Sequence, residues 1–318
     1  MKKTYEAKPL FLERMQELLG KDFQSYIEIL KKVPVRSIRA NKLKISPEEL
    51  KKKLESKRWK ISQPFKDYPE IMIVENDLQP GELGRTLEHL LGYYYVQEIA
   101  SMLPILTLKQ EPGQLVLDLC SAPGSKTTQI AAEMKNTGTI IANEVSLKRI
   151  KILASNTERC GITNTIITKK EGLALCKKLE KEGFEFHKIL VDAPCSGEGT
   201  LRSSPKTYKM WNIKAVKTLS RIQKSLLSSA IEILKPKGEI VYSTCTHSPE
   251  ENEEVIDYIL KNFPNIKIEQ ISLPVKSRSG IKKWQDKEYL EDVKFSCRIY
   301  PQDNNTEGFF IAKLRRIK

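Results

Sequence analysis

No apolar stretch in the sequence approaches the roughly 20 residues needed to cross a bilayer. The opening Met1-Lys2-Lys3-Thr4-Tyr5-Glu6 lacks an apolar signal core, so a cytoplasmic protein without membrane contact is expected. The six cysteines include no CxxC pair, which argues against a structural zinc site and against a disulfide framework. A reducing compartment would keep these thiols free for chemistry. Acids run short of bases: 40 Asp and Glu against 54 Lys and Arg leave a net charge of +14, which favours a polyanionic partner, nucleic acid first. The cluster Glu250, Glu251, Glu253 and Glu254 is not read as a metal site, because acids in a first helical turn are favoured by the helix dipole alone. Internal repeats and low-complexity segments are absent as well.

At 318 residues the chain can hold one large domain and a smaller one, each with its own core. Residues 31–66 carry 13 Lys and Arg against Glu48, Glu49 and Glu55, a net +10, and make a candidate docking surface. Two helical patterns open the chain, Phe11, Leu12, Met15, Leu18 and Leu19, then Phe23, Ile27 and Leu30. A strand Ser37–Leu43 follows, and Arg36, Arg39, Lys42 and Lys44 along it favour binding. Ser46 as cap and Pro47 at the first helical position start a further helix, before an extended Glu70–Val74. Residues 1–80 thus read as a small α+β domain. Past the Pro80-Gly81 turn, Val96, Ile99, Met102, Leu103 and Leu106 recur at helical spacing behind Tyr93-Tyr94-Tyr95.

From residue 114, strand-like runs Leu115–Leu119, Thr139–Ala142, Thr165–Thr168, Lys188–Val191 and Glu239–Tyr242 alternate with amphipathic stretches. Such alternation implies an α/β domain with a doubly wound parallel sheet, over residues 81–318. Lys267–Ile271, Phe295–Tyr300 and Gly308–Leu314 read as closing strands with no helix between the last two, so a terminal antiparallel hairpin is expected.

The first of these strands runs into Cys120-Ser121-Ala122-Pro123-Gly124-Ser125-Lys126-Thr127-Thr128 and then a helix. Small residues let the backbone approach a ligand, and the helix N-terminus offers amides to a carboxylate or phosphate. A P-loop needs glycine where Ser125 and Cys120 stand, which removes ATP. A dinucleotide fingerprint needs three glycines where only Gly124 is present. Glu144, 20 positions after Gly124 at the end of the second strand, has the spacing of a carboxylate that holds ribose hydroxyls. S-adenosylmethionine suits the set, having ribose and adenine but no phosphates. Two further cysteines, Cys195 in Asp192-Ala193-Pro194-Cys195-Ser196-Gly197 and Cys245 in Ser243-Thr244-Cys245-Thr246, lie just past strand-like runs. On one sheet they would open into one crevice.

Together, Asp118 to Thr128, Asn143-Glu144, Asp192 to Gly197 and Tyr242 to Cys245 resemble the Sun (NSUN) family of RNA cytosine-5 methyltransferases, and within it an archaeal-type tRNA enzyme. Arg39-Ala40-Asn41-Lys42-Leu43-Lys44 is similar to the family's N-terminal RNA-binding unit. Tyr94 to Glu98 with Ser101 to Pro104 is similar to its pre-catalytic helix, and Glu307 to Ala312 to its closing strand. The resemblance implies a Rossmann-like sheet and a cofactor site from Cys120, Ser121, Ala122, Pro123, Gly124, Ser125, Lys126, Glu144, Arg149, Asp192 and a third-strand acid. The family carries Asp there; here Glu171 is the substitute, expected to meet the adenine amine. RNA contacts fall to Arg36, Arg39, Asn41 and Lys42.

Carbon 5 of cytosine is a poor nucleophile until a thiolate adds to carbon 6. On chemical grounds either cysteine could attack. The resemblance assigns the attack to Cys245 and product release to Cys195, with Asp192 on the ring's nitrogen 3 and amino edge and Lys126 as a positive neighbour of the thiol. Cys160, Cys176 and Cys297 read as core residues, and Cys120 as loop packing. Ser248 and Glu251 read as a capping box, which leaves His247 outside catalysis. Tyr208 and Trp211 could stack on RNA or belong to the core. The expected function is RNA cytosine-5 methylation by a monomer, tRNA favoured over rRNA. A DNA cytosine methyltransferase working through Cys195 and a non-catalytic RNA-binding assembly factor are the alternatives.

Overall fold

The computed structural model describes residues 6–317, so the opening stretch Met1 to Tyr5 read above lies outside the described residues. Two compact units emerge: residues 35–190, and the residues up to Pro34 together with those from Val191 onward. Helices α1 (Pro9–Leu19) and α2 (Phe23–Leu30) belong to the second of these. Their apolar faces place Phe11, Met15, Leu19 and Tyr26 in a cluster with Leu201, Trp211, Val216 and Tyr300.

The unit of residues 35–190 opens with β1 (Arg36–Ala40), α3 (Pro47–Ser56), β2 (Ile61–Ser62), β3 (Ile71–Val74), α4 (Leu87–Leu90) and β4 (Tyr94–Val96). These strands form an antiparallel sheet in the order β2-β3-β1-β4. Helix α3 starts where expected: Ser46 Oγ accepts from the Glu49 amide at 3.2 Å and the Glu49 carboxylate accepts from the Ser46 amide. One turn apart, Leu50 and Leu54 are then buried against Ile38, Met72 and Tyr94. Strand β1 stops short of the expected Leu43, because the Asn41 side chain accepts from the Leu43 amide and turns the chain. The helical reading that began at Val96 is corrected too. Tyr94 to Val96 pair with Ala40 to Ile38, since an aromatic and β-branched run fits a pleated edge, and the helix begins only at Ile99.

There follow α5 (Ile99–Leu108), β5 (Leu115–Asp118), α6 (Ser125–Glu133), β6 (Thr139–Asn143), α7 (Leu147–Cys160), β7 (Thr165–Thr168), α8 (Gly172–Lys181) and β8 (Phe186–Asp192). The expected parallel strands pair in the order β8-β5-β6-β7. The central strands β5 and β6, buried on both faces, read as continuous apolar runs. The order turns at β5, with β6 and β7 to one side and β8 returning on the other, and such a switch point opens a crevice at the strands' carboxyl ends.

The second unit continues through α9 (Lys206–Met210), α10 (Ile213–Glu232), β9 (Leu234–Thr244), α11 (Glu253–Asn262), β10 (Ile266–Glu269), β11 (Arg278–Ser279), β12 (Lys283–Trp284), β13 (Lys287–Glu288), β14 (Cys297–Ile299), α12 (Pro301–Asn304) and β15 (Phe309–Arg316). Strand β15 runs antiparallel to β9, β14 and β10, so the expected antiparallel close is present. A single helical turn, α12, sits between β14 and β15 where none was expected; Pro301 at its first position supplies the helical φ. Among the described residues no helix is long and apolar enough to cross a membrane.

Candidate active site

The loop after β5 is held by its own backbone. The Ser121 amide donates to Asn143 O and the Gly124 amide to Ser121 O, each at 2.8 Å, while Ser121 Oγ donates to Asp118 O. The Ala122-Pro123 peptide is cis, and Gly124 at φ 104° caps α6. A side chain there would be strained by that φ and would press within 3.0 Å of Leu153. Thr127 Oγ1 donates to Asp118 Oδ2 at 2.6 Å and ties the helix back to β5. Lys126 is buried, with Nζ 3.0 Å from Ser101 Oγ.

Glu144, at the end of β6, is buried; Oε1 accepts from the Ser146 amide at 2.9 Å and Oε2 pairs with Arg149 Nη1 at 2.8 Å. Arg149 also donates to Ala122 O, so the loop, the carboxylate and α7 form one connected piece. Cys120 and Ser125 are half-buried, Ala122 is buried and Pro123 exposed. Glu171, exposed at the start of α8, caps the helix, its carboxylate accepting from the Leu173 and Ala174 amides.

In the second unit, the end of β8 and the end of β9 lie side by side. The Ala193 amide donates to Ser243 O at 2.9 Å, and Ser243 Oγ donates to Asp192 Oδ1 at 2.7 Å. Two residues further along each chain, Cys195 Sγ and Cys245 Sγ are 3.3 Å apart, within reach of a thiol hydrogen bond. Ser196 Oγ and Thr246 Oγ1 share a proton across 2.7 Å just behind them. The hydrogen bond with Cys245, then burial, then the charges of Cys245 and Glu251 push the Cys195 thiol well above its ordinary range. Cys195 therefore holds its proton firmly.

The strand expected to contact RNA is corrected at two positions. Arg39 and Asn41 are each only 3% exposed. Arg39 spends its donors on Gln97 Oε1, Ser125 O and Thr128 Oγ1, bracing the start of α6, and Asn41 donates to Gly92 O and Cys160 O. Lys42 remains exposed but pairs with Glu70 and Glu133; Arg36 is half-buried. Exposed basic charge sits instead just before and on α3, where Lys44, Lys52 and Lys53, with Tyr93, line a groove of about 550 Å³.

Trp211 proves to be core, 3% exposed, its indole donating to Glu198, and Tyr208 stacks edge-on against Phe11. Cys160, Cys176 and Cys297 are buried as expected. The expected capping box at Ser248 is absent: Ser248 Oγ donates to Glu198 Oε1, and Glu251 turns to the Ser196 amide. Nor are the neighbouring acids mere dipole partners, for Glu250 pairs with Arg14 and Glu253 with Arg298. Ser243, Glu251 and Gln223 were missed by the sequence reading. Gln223 had a signal, a polar residue within the buried stripe Val216, Ser220 and Leu227 of α10.

Comparison with known proteins gives the following. The family profile described as 16S rRNA methyltransferase RsmB/F matches residues 105–315, and that of the N-terminal domain of 16S rRNA methyltransferase RsmF matches residues 8–99. A tRNA (cytosine(49)-C(5))-methyltransferase of Pyrococcus abyssi is 40% identical over 284 residues, 89% of each chain. A ribosomal RNA small subunit methyltransferase F of Aliivibrio salmonicida is 38% identical over 96% of this chain, which spans 63% of that relative's length. The crystal structure of a methyltransferase homolog protein from Pyrococcus horikoshii is similar at a TM-score of 0.84 and 34% identity, covering 97% of this chain and 95% of its own.

Proposed function

Because this chain belongs to the RsmB/F (Sun) family of RNA cytosine-5 methyltransferases, we propose that it methylates a tRNA cytosine through a covalent bond between Cys245 and carbon 6 of the ring. The family uses S-adenosylmethionine, which when bound supplies an electrophilic methyl group. The residues after β5 fit that cofactor. The first turn of α6 offers amides to its carboxylate, Gly124 permits close approach, and Glu144, with a lone pair left on each oxygen, suits the ribose hydroxyls. Cys120 to Lys126, Glu144 and Arg149 are the residues that would hold it, with Glu171 at the adenine end.

The observation that carries the covalent reading is the 3.3 Å contact between Cys195 and Cys245 beside Asp192. In that pair Cys195 keeps its proton and donates it towards the Cys245 thiolate, the better nucleophile of the two. Cys245 sulfur bonds to carbon 6, the ring's electrons move to carbon 5, and Asp192 holds the nitrogen 3 and amino edge that takes up the charge. Once Cys245 is bonded to carbon, its charge and its hydrogen bond to Cys195 disappear. Those influences kept the Cys195 proton in place. Cys195 can then give its proton to solvent and take the carbon-5 proton after methylation, and the returning electrons expel the Cys245 sulfur.

tRNA is favoured over rRNA because the tRNA enzyme is 40% identical to this chain, against 38% for the rRNA relative. RNA would dock through residues 1–80, on the lysine face around α3. Replacing Cys245 with Ala should abolish transfer of labelled methyl groups to tRNA. Cys195→Ala should instead accumulate a protein–RNA adduct that survives denaturing electrophoresis. Equal turnover by both variants would defeat the assignment.

A further inference from the structure

Glu251 is fully buried, 0% exposed, on the turn that follows β9, and neither the cofactor loop nor the thiol pair accounts for it. Its Oε2 accepts from the Ser196 amide at 3.0 Å and from Gln223 Nε2 at 2.8 Å. Gln223, also 0% exposed, donates from the same Nε2 to Pro194 O at 2.9 Å. The two side chains thus grip the backbone on both sides of Cys195, at the carbonyl before it and the amide after it. The Glu251 backbone is anchored in turn, its carbonyl accepting from Tyr242 OH on β9. We propose that Glu251 and Gln223 are positioning residues for Cys195, a clamp that fixes its sulfur against Cys245 and through which the Glu251 carboxyl tunes the Cys195 thiol; this rests on the helper role given to Cys195 above.

The chemistry of the clamp is consistent with tuning as well as support. A rigid link would need only a neutral acceptor, which an amide supplies as well as a carboxylate. Glu251 Oε1 has no hydrogen-bond partner among the described residues, so a full charge there is poorly stabilised. Burial first, and then the charge of Glu198 on the turn after Gly197, push the Glu251 pKa up to about 7, while the bonds from Ser196 and Gln223 pull the other way. The titratable groups around it are Cys195 on the gripped loop, Glu198 on its turn and Tyr242 on β9. Ionised, Glu251 adds negative charge beside Cys195 and holds the thiol's proton on.

Glu251→Gln separates the two roles, because its carbonyl can still accept from Ser196 and Gln223 while the charge is gone. The full chain is treated with iodoacetamide across a pH series, and alkylation of the Cys195 and Cys245 peptides is read by mass spectrometry. In Glu251→Gln, Cys195 alkylation should begin at lower pH, by about one unit, with the melting temperature kept. In Glu251→Ala, alkylation should also become faster at every pH, because the loop is released; if that variant does not fold, Glu251→Gln carries the test. An unmoved Cys195 profile in a folded Glu251→Gln protein overturns the proposal, whether or not the melting temperature falls. If the profile moves but Cys195→Ala accumulates no RNA adduct, the clamp stands and the helper reading of Cys195 fails instead.

Discussion

His247 lies two residues past Cys245, 1% exposed, its ring stacked on Tyr300 at 5.0 Å. Burial, then the nearby Arg298, push its pKa down from 6.5 to about 3, so it is a neutral packing group. In the unfolded chain the imidazole takes a proton near pH 6.5, and the folded protein refuses it until about pH 3. The unfolded state therefore binds the extra proton in that window. Stability is full above pH 6.5 and falls as pH drops, by about 1.4 kcal/mol per unit for this one group. Glu251 works in the opposite sense: its folded pKa of about 7 lies above 4.5, so its contribution is present below pH 4.5 and is lost as pH rises through 7. Between pH 4.5 and 6.5 the two oppose each other. Denaturant unfolding of His247→Gln should accordingly lose the acid-side decline and show stability falling with rising pH across that window. A pH dependence identical to the parent would contradict this.

At the scale of elements, the tetrapeptide Ser-Pro-Glu-Glu occurs at residues 46–49 and again at 248–251. The first starts α3 with a reciprocal capping box on the surface. The second is buried, with Ser248 given to Glu198 and Glu251 to the Cys195 loop. Identical local chemistry thus makes a helix cap in one place and part of the site's scaffold in the other, because tertiary hydrogen-bond partners outcompete the cap where water is excluded. Ser46→Ala should cost about 1 kcal/mol, measured by chemical denaturation, and leave methyl transfer unchanged. Strand β15 meets the site at a pair of glycines: the Gly199 amide donates to Cys245 O and the Gly308 amide to Gly199 O. A Cβ at Gly308 would come within 2.2 Å of the His247 ring. The alternation of strands and amphipathic stretches was legible because periodicity is local. The strand Tyr94 to Val96 was not, because its three residues acquire a period only from pairing with β1.

At the scale of the whole molecule, RNA held through the basic side chains behind the net charge of +14 should lose affinity as salt rises. Charge reversal at Lys52 and Lys53, both exposed in the groove on α3, should weaken RNA binding at low salt. It should also flatten the slope of log affinity against log salt by about 0.7 to 0.9 per lost phosphate contact, with the melting temperature unchanged. An unaltered slope would move the docking surface elsewhere. What the sequence by itself determined is the chemistry available: the cysteines, the single-glycine loop with its following helix, the carboxylate at the end of β6 and the excess of basic charge. Residue type and short spacing suffice for these. Only the tertiary structure decided how that chemistry is used. It turned Arg39 and Asn41 inward although they lie in the most basic segment, put Cys195 and Cys245 at 3.3 Å, and drew Glu251 and Gln223 from separate elements onto the Cys195 loop. Burial and pairing across long stretches of chain set those outcomes, and no local pattern encodes which buried polar group will find which partner.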